Sequence, residues 1–303
     1  MAAALGSVNL GQQFTGISII DPVGLNQSIG EHIKTFFYIS ADNVENILKL
    51  HSGLTIDQLL INVVSRVKEM ARPLISGYKV GVVGLGKSGN IYGGVNLEFQ
   101  DLSSTIHAEQ VMTVNARNHG ETFIEKLALS AAPCGYCRQF LNEIGNNNGN
   151  MVENMKCLIP GRLPVTLEQL LPDAFGPGDL GISGGLLSPV KLPTSQDLVE
   201  RAREAAQASY VPYSECPAGV SIQINDGRVF SGSYLENAAY NPTIPPLQAA
   251  LVELVENGIA YDQITRVVLA QKKSQKVDLH FPTMAVLSKI CPGVKLETVT
   301  LIV

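Results

Sequence analysis

One imidazole, one carboxylate and two thiols lie close together in a chain of 303 residues. They are His107 and Glu109 in Thr105-Ile106-His107-Ala108-Glu109-Gln110, and Cys134 and Cys137 in Pro133-Cys134-Gly135-Tyr136-Cys137. His107, Cys134 and Cys137 supply three ligands for a zinc ion, which in a catalytic site keeps its fourth position for water. Glu109 leaves the backbone two residues from His107, at a different angle, and suits moving protons beside the metal. The chemistry this implies is hydrolysis by an activated water, with Glu109 as the proton shuttle. Two plainer readings compete. A structural zinc site would want a fourth Cys or His, and the candidates, His119 and Cys157, have no paired spacing. A redox Cys-x-x-Cys would have no use for the His-x-Glu segment.

These side chains need elements to hold them. Pro133 suits the first turn of a helix, where a missing N–H costs nothing. Phe140, Leu141 and Ile144 then recur at helical spacing and Gly145 marks a stop, which places Cys134 and Cys137 in the opening turn. Free N–H groups and the positive end of the helix dipole favour thiolates there. Arg138 is a candidate hydrogen-bond donor to one of them. Ser103, Ser104 or Thr105 is expected to cap a second helix, running through Val111, Val114 and Asn115 to Asn118-His119-Gly120. Upstream, Thr55 and Gln58 form a capping-box pattern for a helix over 55–71, ended by Pro73.

The order His-x-Glu, then Pro-Cys-x-x-Cys, is the signature of the zinc-dependent base deaminases. Further motifs narrow it: Gly93-Gly94-Val95-Asn96-Leu97-Glu98-Phe99, Pro133 through Phe140, and Leu171-Pro172-Asp173-Ala174-Phe175-Gly176-Pro177. Together they resemble the homodimeric, two-repeat cytidine deaminases of bacteria and plants, over roughly residues 40–300. The resemblance implies a duplicated three-layer α/β/α fold, one zinc per chain, and hydrolytic deamination of cytidine and 2′-deoxycytidine with release of ammonia. It implies that Asn96 and Glu98 hold the ribose hydroxyls, that the backbone at Ala108 and Glu109 read the base edge, and that Phe175 and Tyr78 wall the pocket. Tyr78 stands where the family usually has Phe, and Ala131 where a bacterial relative carries Tyr.

The chain also repeats itself. Gly81-Val82, Gly89, Gly94, Leu97-Glu98, Thr105-Ile106 and Gln110 recur, each 138 residues later, as Gly219-Val220, Gly227, Gly232, Leu235-Glu236, Thr243-Ile244 and Gln248. Each copy reads as a β-hairpin followed by a helix, with turns at Gly86-Lys87-Ser88-Gly89 and Asn225-Asp226-Gly227. At the same offset His107 becomes Pro245 and Glu109 becomes Leu247, and no Cys-x-x-Cys follows residue 137. The second copy is expected to keep the scaffold and lack the metal. The resulting partition is a leader and helical segment at 1–54, a catalytic domain at 55–175, a Gly/Pro/Ser-rich linker at 176–194 and a degenerate domain at 195–303.

Composition sets the class of partner. Net charge is −5 with no basic run, which argues against nucleic acid and favours a free nucleoside. A base within a nucleotide or polynucleotide is the competing substrate, and a zinc-stabilised binding protein the competing function. No apolar run reaches membrane-spanning length. Residues 1–33 carry no Lys or Arg, so neither a secretory signal nor an Arg-rich transit peptide is expected. Five cysteines, two of them assigned to zinc, suit the reducing cytoplasm.

Overall fold

Two glycines, one repeat apart, set how closely a helix lies on each sheet. In the computed structural model, a Cβ on Gly94 would come within 2.2 Å of the Ala108 carbonyl oxygen, and one on Gly232 within 2.1 Å of the Ala250 nitrogen. Any larger residue would push the helix off its sheet. The structure describes residues 17, 25, 29, 37–145, 152–273 and 276–301. The leader over 1–33 therefore lies almost wholly outside the described residues, as does His32.

The first copy is built on a sheet of β1 (Tyr38–Ile39), β2 (Gly81–Gly86), β3 (Ile91–Val95), β4 (Ile124–Leu129), β5 (Lys156–Leu158) and β6 (Val165–Thr166), in the order β1-β3-β2-β4-β5-β6. The sheet is mixed, because β4 and β5 run parallel and the other pairs antiparallel. Its helices are α1 (Ala41–Leu50), α2 (Ile56–Val67), α3 (Ala108–Asn118), α4 (Gly135–Asn142) and the single turn α5 (Leu167–Leu170). Thr55 caps α2 in a reciprocal pair with Gln58, as the capping pattern predicts. The helix proper ends at Val67, and residues 68–70 tighten into a 3-10 turn before Pro73.

Gly81 pairs with Val95, so Gly81 and Gly94 face opposite sides of the sheet. A Cβ on Gly81 would strike Lys68, just beyond α2, whereas Gly94 abuts α3. Helices therefore cover both faces, and the domain has three layers.

The second copy repeats this plan. Its elements are α6 (Leu198–Gln207), β7 (Ala218–Ile224), β8 (Val229–Ser233), α7 (Pro246–Glu256), β9 (Ile264–Gln271), α8 (His280–Ile290) and β10 (Leu296–Thr300), with strand order β10-β9-β7-β8. The hairpin register is the same in both copies: Gly81 faces Val95, and Gly219 faces Ser233. The short bridges Leu97–Ile106 and Leu235–Ile244 keep the 138-residue offset, as do the helices α3 and α7. Gly219 and Gly232 again mark opposite faces, against Ala206 in α6 and Ala250 in α7.

The copies share one apolar core. They meet along α3 and α7. Arg117 of α3 is buried at this seam and donates to the carbonyls of Leu186 and Ala208, while burial brings its guanidinium down to about 10. The Gly/Pro/Ser-rich stretch between the copies is no loose tether, since Leu186 and Leu187 are buried in that core.

Candidate active site

His107 and Cys134 occupy equivalent places: each is the residue just before a helix, at the N-termini of α3 and α4. Both starts fall later than the sequence pattern suggests. Ile106 exchanges two backbone hydrogen bonds with Leu97 and is held extended, so α3 cannot begin at Ser103, Ser104 or Thr105. Asp101 and Ser104 instead close a separate 3-10 turn. Pro133 precedes α4 rather than opening it, and Cys137 alone lies in the first turn.

The three candidate ligand atoms converge. His107 Nδ1 lies 3.7 Å from Cys134 Sγ and 3.3 Å from Cys137 Sγ, and the two sulfurs are 3.6 Å apart. A tetrahedral zinc with Zn–S near 2.3 Å and Zn–N near 2.05 Å would place two sulfurs about 3.8 Å apart, and sulfur and nitrogen about 3.6 Å apart. The set therefore fits zinc in both donor chemistry and spacing. Neither alternative fourth ligand reaches it. The ring of His119 stacks on Tyr38 at 4.3 Å and its Nδ1 meets the Asn115 carbonyl, while Cys157 is buried in β5. Among the described residues, His107, Cys134 and Cys137 form the one His/Cys/Asp/Glu group gathered closely enough to hold a metal.

The two thiols behave as an unequal pair. The hydrogen bond from Cys137 lowers Cys134 to about 5, against the penalty of burial and with help from the Cys137 N–H and the His107 imidazole. The contact with the Cys134 sulfur, together with burial, holds the Cys137 thiol well above the ordinary range. Arg138 touches neither sulfur. Its guanidinium donates to the carbonyls of Pro133 and Leu170, each at 2.9 Å, and so fixes the chain that enters α4.

Beside the ligands lies a cavity of about 440 Å³. Glu109 lines it and is buried, and burial raises its carboxyl above the usual range. Asn96, Glu98, Tyr78, Ala108 and Ala131 line it too. Asn96 and Glu98 are already engaged. Asn96 Oδ1 accepts from Val80 N and its Nδ2 donates to the Tyr78 carbonyl. Glu98 Oε2 accepts from Ile75 N at 2.7 Å and Ser76 N at 2.8 Å, and Oε1 accepts from Ser76 Oγ at 2.5 Å. Burial would raise this carboxyl, but the bonds from Ser76 and Ile75 outweigh it and hold the group below its ordinary value. Glu236 repeats the arrangement in the second copy, accepting from Tyr213 N and Ser214 N.

Phe175 is not brought to this cavity. Its ring is half exposed, its carbonyl accepts from Gln139 and Asn142, and its neighbours Ala174 and Gly176 line a separate cavity. Thr105 is a site residue that sequence reading treats only as a cap. It lines the 440 Å³ cavity, and its buried hydroxyl has no hydrogen-bond partner. The signal was its place next to the His-x-Glu segment, masked by the capping preference of threonine.

Residues 54–152 match the cytidine and deoxycytidylate deaminase zinc-binding region, and residues 167–284 match a second model of the same description. Cytidine deaminases of Yersinia pestis (strain Pestoides F) and Cronobacter sakazakii are each 38% identical to the chain, over 267 and 288 residues. The alignments cover 86% and 92% of this chain, and 89% and 96% of theirs. The chain belongs to the cytidine deaminase family. The crystal structure of cytidine deaminase from Mycobacterium tuberculosis is similar at 29% identity, covering 41% of this chain and 99% of that one, with a TM-score of 0.35. Zinc is the metal of this family's binding region, and the ligand spacing agrees with it. Both family matches carry the zinc-binding description, yet the second copy holds Pro245 and Leu247 where the first holds His107 and Glu109. Among the described residues, no helix is long and apolar enough to cross a membrane.

Proposed function

We infer that the chain catalyses the hydrolytic deamination of cytidine and 2′-deoxycytidine to uridine and deoxyuridine. The observation that carries this reading is a buried Glu109 lining the same cavity as the converging His107, Cys134 and Cys137. Those three residues would hold zinc, and zinc held there would make a neighbouring water more acidic. Glu109 takes that water's proton on its carboxylate and passes it to the ring nitrogen beside the amine-bearing carbon. The hydroxide left behind bonds to that carbon; Glu109 then takes the proton of the new hydroxyl and delivers it to the amine, so that the C–N bond breaks, ammonia leaves and the carbonyl forms. Burial suits it to accepting the proton, because a desolvated carboxylate is a stronger base than an exposed one.

The sugar is bound by Asn96 and Glu98, through the hydrogen-bonding capacity that the loop over 75–80 leaves on these groups. The backbone of Ala108 reads the base edge, and the exposed Tyr78 ring gives one wall. Phe175 joins the pocket only if a further chain or a closure brings it there. The cavity rim exposes Tyr78 and Leu102, with Leu74 and Ile75 beside it. These apolar groups support a homodimer in which the rim is covered. Residues 55–175 act as the catalytic domain, 195–303 as the degenerate one, with one zinc per chain and pyrimidine salvage as the role. The free thiols Cys157, Cys216 and Cys291 support a cytoplasmic setting.

Turnover measured on cytidine, deoxycytidine, dCMP and free cytosine tests the substrate class. Comparable kcat/KM on the two nucleosides, and far lower values on dCMP and cytosine, are expected. Preference for dCMP, or salt-sensitive binding to single-stranded RNA or DNA, would overturn the nucleoside reading. Sedimentation at micromolar concentration tests the dimer.

A further inference from the structure

One loop of the second copy touches both helices that carry the candidate zinc ligands. It spans residues 237–242, between β8 and α7. At the His107 helix, Gln110 accepts the His107 N–H through Oε1 at 2.9 Å and donates through Nε2 to the Pro242 carbonyl, also at 2.9 Å. Gln110 is fully buried, so water offers no substitute for either bond. At the start of the cysteine helix, the Tyr136 hydroxyl donates to the Asn241 carbonyl at 2.7 Å, and the Tyr136 ring stacks on His107 at 5.2 Å. Midway along that helix, Asn237 Nδ2 donates to the Gln139 carbonyl at 3.3 Å.

The strongest anchor closes the far end of α4. Glu143, fully buried, accepts the Ala238 N–H on Oε2 at 2.8 Å. Its Oε1 accepts the hydroxyls of Tyr210, at 2.8 Å, and Tyr213. All three donors belong to the second copy. The loop is itself rigid: Ala239 N bonds Asn237 Oδ1, Asn237 N bonds Thr243 Oγ1, and Tyr240 sits at φ 61°, a left-handed conformation that costs a tyrosine strain. A strained, fully bonded loop is a fixed reference against which two separate helices can be aligned.

We propose that Glu143 is a positioning residue: it locks the cysteine-bearing helix onto the 237–242 loop, and the metal-free copy thereby sets the spacing of His107, Cys134 and Cys137. The proposal rests on those three residues being the zinc ligands. It gives the second copy a role in the chemistry without a ligand or a base of its own. Groups that orient metal ligands without touching the metal are worth about 10- to 100-fold in metal affinity when removed.

The test uses the full-length zinc protein and Glu143→Gln, Tyr213→Phe and Tyr210→Phe. Zinc release to excess chelator is followed with a metal indicator, and the cobalt(II)-loaded proteins are compared by visible absorption, which reports ligand geometry. Glu143→Gln is expected to bind one metal, release it at least about tenfold faster, shift the cobalt spectrum, and lose kcat more than it raises KM. The two Tyr→Phe variants are expected to move the same readouts in the same direction by less. Release rate and cobalt spectrum unchanged in Glu143→Gln would overturn the proposal. If that variant does not fold, unchanged release in both Tyr→Phe variants would overturn it equally. Cys137→Ala serves as the separate control: full zinc content there would refute the ligand assignment itself.

Discussion

Replacing Glu98 with Ala separates the job that the structure shows for this carboxylate from the one proposed for it. The first job is structural. Glu98 is 4% exposed and accepts three hydrogen bonds from Ile75 and Ser76. A hydrogen bond to a charged group is worth about 1.5–3 kcal/mol, but Ile75 and Ser76 lie on an exposed loop where water takes the lost partner's place. The stability cost should therefore be about 1–3 kcal/mol in total, read from urea unfolding. The second job, the proposed one, is holding a ribose hydroxyl. Losing one charge-assisted bond of that size raises KM for cytidine roughly 10- to 150-fold with kcat less affected.

Two controls make this decisive. Glu236→Ala removes the equivalent loop bonds in the copy without a metal site, and should cost similar stability while leaving KM unchanged. Ser76→Ala loosens the loop but keeps the carboxylate, and should change KM by less than about threefold. If either control raises KM as much as Glu98→Ala, the carboxylate only shapes the loop and the sugar is held elsewhere. The pH dependence has a definite sign. The folded-state pKa of Glu98 is lowered, so its stabilising effect is complete above the ordinary glutamate value and is lost as pH falls through the lowered one. KM should stay flat from neutrality down through the ordinary glutamate range and rise only below it.

Glu109→Gln should keep zinc and lose at least about a hundredfold in kcat; normal turnover would remove Glu109 from the chemistry. Metal analysis of the purified chain should give one zinc, falling to none on dialysis against a strong chelator together with activity, whereas two tightly held zincs would show that the second copy still binds metal. Gly232→Ala places a methyl 2.1 Å from the Ala250 nitrogen and should destabilise by about 1–3 kcal/mol or more, and an unchanged urea midpoint would mean that α7 can slide on its sheet at no cost.

The metal half of the site was legible because it is local. His107, Glu109, Cys134 and Cys137 lie within a short stretch, and each ligand-bearing segment carries its own helix signal in the residues that follow. The duplication was legible too, since a fixed 138-residue offset survives in the glycines that helix–sheet contact demands. What escaped depends on individual pairings that have no periodicity along the chain. The late starts of α3 and α4 follow from the Leu97–Ile106 bridge and from Arg138 pinning Pro133, neither of which leaves a pattern along the chain. Thr105 and Phe175 traded places for the same reason, one turned into the cavity by that bridge, the other drawn away by Gln139 and Asn142.

The second copy works as an internal control on which residues serve the fold and which serve the chemistry. Glu236 retains the loop-pinning bonds of Glu98, and Gly219 and Gly232 retain the close helix–sheet approach, so those features are needed by the scaffold with or without a metal. His107 and Glu109 became Pro245 and Leu247, and both replacements suit their places. Pro245 keeps the extended backbone of a residue preceding a helix, and Leu247 fills the buried space that a carboxylate would occupy only at a desolvation cost. The same comparison separates Glu143 from ordinary scaffold. Its partners Tyr210, Tyr213 and Ala238 all lie in the other copy, so its bonds, unlike those of Glu98 and Glu236, join the two copies rather than pin a loop within one.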